Sequence, residues 1–199
     1  MELVLTPSGE AFTKDYDLPN DTNYAETCAS VGLMFFAQRM LQCETDAVYG
    51  DVMEQALYNT VLGGMNYEGN RFFYVNPLES VPAVCEANPE RHHVRTLRRK
   101  WFACACCPPN LARLIGSLRK YMYTVGENRI NVQLYIAGTA RLKTGGQTLL
   151  VVQKTDYPKE GKRSHKGHLI KHEAKPLARQ RAGSKGGYIG SLPWEQEGP

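Results

Sequence analysis

The chain has 199 residues, 42% of them hydrophobic, with 24 Lys+Arg against 20 Asp+Glu and six cysteines. That length suits one ordinary domain, or one domain and part of another. No apolar run approaches the roughly 18 residues of a membrane span, and the cysteines are too sparse for a small secreted disulfide scaffold. The formal charge of +4 sits at one end: residues 1–158 hold 15 Lys+Arg and 16 Asp+Glu, residues 159–199 hold 9 and 4.

The Met1 end is acidic at Glu2 and meets Pro7-Ser8-Gly9 within a few residues. It does not have the form of a secretory signal, and the expected compartment is the cytoplasm. Residues 6–23 are rich in turn formers and read as loop, with Glu10 near its start. The apolar stretch 29–42 (Val31, Leu33, Met34, Phe35, Phe36, Met40, Leu41) predicts a helix buried on most sides. A second helix is expected from Asp46 to Leu62, with Val48, Val52, Ala56, Leu57, Val61 and Leu62 at helical spacing and Gly63-Gly64 ending it. Residues 65–75 suggest a short hairpin around Glu68-Gly69-Asn70.

Residues 76–100 look irregular and end in the basic run Arg91 to Lys100, read as a solvated loop. Pro108-Pro109-Asn110 predicts a third helix with Asn110 as N-cap and Leu111, Leu114, Ile115 and Leu118 on its apolar face. From Arg129 the period changes to two, so Ile130 to Ile136 and Gln147 to Lys154 read as strands. Helices giving way to strands place a domain boundary near residue 126. Residues 159–199 carry scattered Lys, Arg and Gly, three of the five histidines and no apolar period. That composition predicts a disordered basic tail.

Two clusters carry chemistry. Glu26-Thr27-Cys28 precedes the first helix, and Cys104-Ala105-Cys106-Cys107-Pro108-Pro109-Asn110 precedes the third. Three thiols and a carboxylate are donors that zinc prefers, and four is its usual number. On a helix, side chains two residues apart point roughly 200° from one another, so Glu26 and Cys28 share a metal only if this stretch is extended or at a helix start. Neighbouring cysteines converge on one metal only where the backbone turns. The following Pro-Pro pair favours such a turn and is expected to hold Cys107 out of the helical region. The residues alone leave a metal ligand and a nucleophile both open for the vicinal pair, and a purely structural zinc would use the same four donors. Cys43, Cys85 and Cys104 are read as packing, and His92-His93 as solvated surface.

The chain resembles glycoside hydrolase family 127, the retaining β-L-arabinofuranosidases, across residues 1–158. The stretches that match are Gly9 to Phe12, Asp17 to Asp21, Tyr24 to Ser30 and Trp101 to Asn110. The resemblance implies zinc held by Glu26, Cys28, Cys106 and Cys107, with Cys106 as nucleophile, Glu10 as acid/base and Tyr74 lining the sugar site. It implies an α+β chain. Residues 1–125 would be the C-terminal part of an α/α-barrel catalytic domain, 126–158 the first strands of a β-sandwich, and 159–199 the disordered tail. The substrate would be an arabinofuranoside. Membrane and nucleic-acid partners are not expected, and uncovered barrel faces could drive either assembly into a homo-oligomer or aggregation. The match begins partway through the barrel and stops at Pro158, which suggests a fragment with a shifted reading frame after that point, or a degraded gene. A non-catalytic zinc-binding remnant or interaction module is the alternative reading.

Overall fold

The computed structural model describes residues 14, 15, 17, 19–88, 91 and 93–159. Glu10 and, apart from Lys159, the tail expected over 159–199 lie outside the described residues. The chain divides into two compact units, Met1–Tyr121 and Met122–Pro199. The fold is mixed α+β, with several helices followed by two small antiparallel sheets.

In the first unit, α1 (Thr27–Cys43) follows Glu26, whose backbone is still extended (φ −70°, ψ 136°). Its buried residues Thr27, Val31, Met34, Ala37 and Leu41 recur every three or four positions and form one stripe. The expectation of burial on most sides is therefore too broad: Phe36 is 58% exposed, because the helix meets neighbours on the striped side only. Those neighbours are α2 (Ala47–Gln55), the π-helical stretch Ala56–Val61 and α5 (Cys107–Gly116).

Asp46 caps α2 by accepting the Val48 N–H at 2.9 Å. The helix then widens through the π-helical stretch and closes with one α-helical turn, α3 (Leu62–Gly64). Gly63 and Gly64 are its last two residues, and the helix ends there as expected, with Met65 already extended. Packing favours Gly64: a Cβ there would stand 3.3 Å from both Thr27 Oγ1 and Asn76 Oδ1, so any larger residue would press on the two side chains where the chains cross.

The segment expected as a hairpin makes isolated bridges, Met65 with Phe72 and Phe72 with Arg99, in place of a ladder. Its far end is stitched to the start of α1. Thr27 N–H donates to Tyr74 O and Asn76 N–H to Ala25 O, both at 2.9 Å. Thr27 Oγ1 donates to Phe73 O at 2.7 Å, and Asn76 Nδ2 donates to Ala25 O and Thr27 Oγ1. Residues 76–100 are not wholly irregular: α4 (Pro82–Ala87) forms there with proline in its first turn. Part of the basic run is docked instead of solvated, with Arg91 paired to Asp21 and Arg98 donating to Gly63 O and covering the Phe73 ring.

The third predicted helix starts four residues earlier than its sequence suggests. Cys106 is the N-cap, already in the right-handed helical region (φ −73°, ψ −38°), and Cys107 is the first helical residue. Asn110, expected as N-cap, lies inside α5. A proline in the first turn removes an N–H that would have no helical partner anyway, so the Pro-Pro pair fits within the helix. Cys107, Leu111 and Leu114 are buried and Ile115 is exposed.

After α6 (Arg119–Met122), the described residues of the second unit form two hairpins. The first pairs β1 (Tyr123–Val125) with β2 (Ile130–Val132). The strand expected over 130–136 is cut short because the Gln133 and Leu134 N–H groups both turn to Met122 O. The second pairs β3 (Gly138–Thr144) with β4 (Gln147–Gln153) through Gly145-Gly146, both at positive φ. Two such residues in a two-residue loop make the turn whose twist matches antiparallel strands. Thr144 Oγ1 donates to Gly126 O and Glu127 O, tying the hairpins together, and the buried Gln153 amide is satisfied by Leu134 O and Ile136 O. No described helix is long and apolar enough to cross a membrane.

Candidate metal centre

Two helix starts meet in the first unit. Glu26 is the last extended residue before α1 and Cys28 lies in its first turn, so the backbone changes conformation between them and both side chains reach one point. Cys106 and Cys107 come from the start of α5. One donor atom from each of Glu26, Cys28, Cys106 and Cys107 lies within 4.8 Å of all the others. Cys28 Sγ is 3.5 Å from Cys107 Sγ, which is 3.9 Å from Cys106 Sγ. Cys106 Sγ is in turn 3.6 Å from Glu26 Oε1. Glu26 and Cys107 are buried, while Cys28 and Cys106 are half-buried.

Burial sets the electrostatics. Loss of solvent pushes the Cys106 thiol up to about 12, against a lowering hydrogen bond from Tyr74 and further raising by Cys28 and Cys104. Cys107 is raised for the same first reason, then by its contact with Cys28. Three thiols and a carboxylate so close together cannot all ionise unless positive charge joins them. A bound cation supplies that charge and turns the cluster into a ligand set. The partial positive charge at the two helix N-termini acts in the same direction.

Tyr74 stands beside the cluster with its hydroxyl 3.5 Å from Cys106 Sγ. Its pKa is raised above the usual phenol range, first by burial and then by its hydrogen bond to Cys106 and the charge of Glu26. The phenol therefore keeps its proton and can donate it to a sulfur anion. Rings continue from it: Tyr24 at 6.4 Å, Phe102 at 5.8 Å, and Phe72 at 5.0 Å from Phe102. Phe72 is buried.

The structure brings together all the sequence-predicted donors and Tyr74; Glu10 lies outside the described residues. Three residues escaped the sequence reading. Asn110, taken for a cap, donates from Nδ2 to Cys28 Sγ at 3.1 Å. Cys104 is exposed rather than packed, and its thiol, lowered chiefly by its bonds to Cys106 and then to Tyr74, borders the cluster. His93 is half-buried against the Tyr24 ring at 5.4 Å, not solvated. Cys85 is buried as expected, whereas Cys43 is exposed. The alternation Phe72-x-Tyr74 was the available signal for the ring cluster, since residues two apart share a face in extended chain.

Comparison with known proteins gives a consistent result. The model of the β-L-arabinofuranosidase GH127 catalytic domain matches residues 5–120. A non-reducing end β-L-arabinofuranosidase of Bifidobacterium longum subsp. longum is 47% identical over 158 residues, covering 78% of this chain and 23% of its own length. A crystal structure of a GH127 β-L-arabinofuranosidase from Geobacillus stearothermophilus T6 superposes with a TM-score of 0.73 at 50% identity, over 77% of this chain and 24% of that one. A second solved GH127 β-arabinofuranosidase gives a TM-score of 0.67 at 39% identity, over 77% and 22%. The chain spans about a quarter of the length of these relatives.

Proposed function

The chain belongs to the GH127 β-L-arabinofuranosidase catalytic-domain family, and on that premise we propose that it carries the catalytic centre of a retaining β-L-arabinofuranosidase. Its substrate would be a carbohydrate ending in β-L-arabinofuranose, released from the non-reducing end. In this reading the first unit is part of an α/α barrel, the hairpins begin a β-sandwich, and the enzyme works in the cytoplasm. The convergence of Glu26, Cys28, Cys106 and Cys107 carries the proposal.

Zinc is the metal that this donor set suits. Tetrahedral coordination with Zn–S near 2.3 Å separates sulfurs by roughly 3.8 Å. The separations of 3.5 and 3.9 Å bracket that value. Bound there, zinc would hold the thiols as thiolates at neutral pH.

Cys106 is the nucleophile. Its sulfur bonds to the anomeric carbon as the bond to the leaving oxygen breaks, and Glu10 gives its proton to that oxygen. Glu10 then takes a proton from water, the water oxygen bonds to the anomeric carbon, and the carbon–sulfur bond breaks to return Cys106. Two inversions give net retention. Tyr74 donates its hydroxyl toward the Cys106 sulfur and offers a ring to the sugar, while Glu26, Cys28 and Cys107 serve as ligands.

Elemental analysis of the purified chain together with hydrolysis of an aryl β-L-arabinofuranoside tests this. The expected result is about one zinc per chain and turnover abolished in Cys106→Ala and in Glu10→Gln. Turnover unaltered by Cys106→Ala would sink the nucleophile assignment. Zinc without turnover would favour a non-catalytic zinc-binding module, and soluble chain without zinc would remove both readings.

A further inference from the structure

Three thiols stand in the cluster, and only one is to react with the sugar. Exposure does not single it out: Cys107 is fully buried, but Cys28 and Cys106 are both half-buried. Their hydrogen-bond partners differ. Cys106 faces the Tyr74 hydroxyl and Glu26, whereas Cys28 Sγ receives the Asn110 Nδ2–H at 3.1 Å. The orientation of that amide is determined. Arg113, one turn further along α5, donates to Asn110 Oδ1 at 2.8 Å. A guanidinium can only donate, so the oxygen must face it and the NH₂ must face the sulfur. Arg113 is itself seated on the Phe35 ring, 4.6 Å from its centroid, so the relay runs from the body of α1 through α5 and back to the start of α1.

We propose that Asn110 is a positioning residue that separates the roles of the two accessible thiols: its amide N–H, aimed by Arg113, draws electron density from the Cys28 sulfur and keeps it a ligand, leaving Cys106 as the sulfur that reacts. The inference rests on the zinc-centre reading above. A hydrogen bond to a metal-held thiolate competes for the lone pairs that would attack an electrophile, and the 3.1 Å bond from Asn110 takes more from Cys28 than the longer 3.5 Å contact of the Tyr74 hydroxyl takes from Cys106. Cys28 and Cys106 become chemically different although both are thiolates on one ion.

The test is competitive alkylation of the zinc-loaded chain with limiting iodoacetamide, mapped by peptide mass spectrometry. Zinc content is measured first, and exposed Cys43 serves as internal reference. In the unaltered chain Cys106 is labelled ahead of Cys28. In Asn110→Ala and Asn110→Leu, which cannot donate, the Cys28-to-Cys106 labelling ratio rises about fivefold, the equivalent of one hydrogen bond. Arg113→Ala, which leaves the amide unaimed, gives a smaller rise in the same direction. It also supplies the answer should the Asn110 variants fail to fold. A purely structural tie between α5 and α1 would lower the melting temperature and leave the ratio alone. An unchanged ratio in zinc-loaded, folded variants overturns the role of Asn110 while the zinc centre stands. Failure of the unaltered chain to bind zinc overturns both.

Discussion

The starts of α1 and α5 each deliver two donors to the same place, by different means. At α1 the donors are two residues apart and converge only because Glu26 is extended while Cys28 is helical. That switch is held from outside: the backbone of Tyr74 and Asn76, the Asn76 side chain and the Cβ-free surface of Gly64 close around Ala25 and Thr27. At α5 the donors are neighbours, Cys106 is already helical, and the prolines that define the first turn are adjacent in sequence. One start is written locally, the other borrowed from residues about fifty positions away. Half of the centre should therefore tolerate local change that the other half does not.

Three substitutions sharpen or break that contrast. The largest effect is expected from Cys107→Ser, which removes a fully buried donor common to both readings of the cluster. Metal affinity in chelator competition should fall by more than the roughly 100-fold typical of losing a mere supporting contact. Affinity within a few-fold of the unaltered chain would mean that the four donors do not act together. Next comes Asn76→Ala, far from the ligands in sequence. It deletes the side-chain bonds to Ala25 O and Thr27 Oγ1 and leaves the backbone N–H bond to Ala25 O, so denaturant unfolding should show a loss of about 1–3 kcal/mol. Metal affinity should drop about tenfold as the start of α1 loosens. Full affinity in a destabilised Asn76→Ala chain would show that the α1 donors do not depend on the stitch.

The smallest effect belongs to Pro109→Ala. It removes local rigidity without removing a hydrogen bond, and should cost at most about 1 kcal/mol with metal affinity unchanged. A loss of affinity matching that of Asn76→Ala would erase the difference between the two helix starts.

Periodicity located the main helices because burying one stripe is a local demand on the chain: Val31, Met34 and Leu41, then Leu57 and Val61, then Leu111 and Leu114 all lie inside. Gly63-Gly64 marked the stop of the second helix, which ends at Gly64, but the start of the third was misplaced. Asn110 looked like a cap, yet two prolines in the first turn moved the helix start back to Cys107. β3 was missed although Gly145-Gly146 marked its turn, since Gly138–Thr144 carries charged residues on a strand that buries none of its side chains fully.

The sequence by itself determined the chemistry: which residues offer sulfur and carboxylate, and that Glu26 and Cys28 could act together only across a change from extended chain to helix. Those are consequences of residue type and of side-chain direction along a backbone. Only the tertiary structure decided that four donors separated by about eighty residues meet within 4.8 Å, that Tyr74 rather than another aromatic faces Cys106, and that Asn110 bonds to Cys28 instead of capping a helix. Such pairings rest on contacts between segments distant in sequence. No local propensity encodes them, because their energy exists only once the helices have packed.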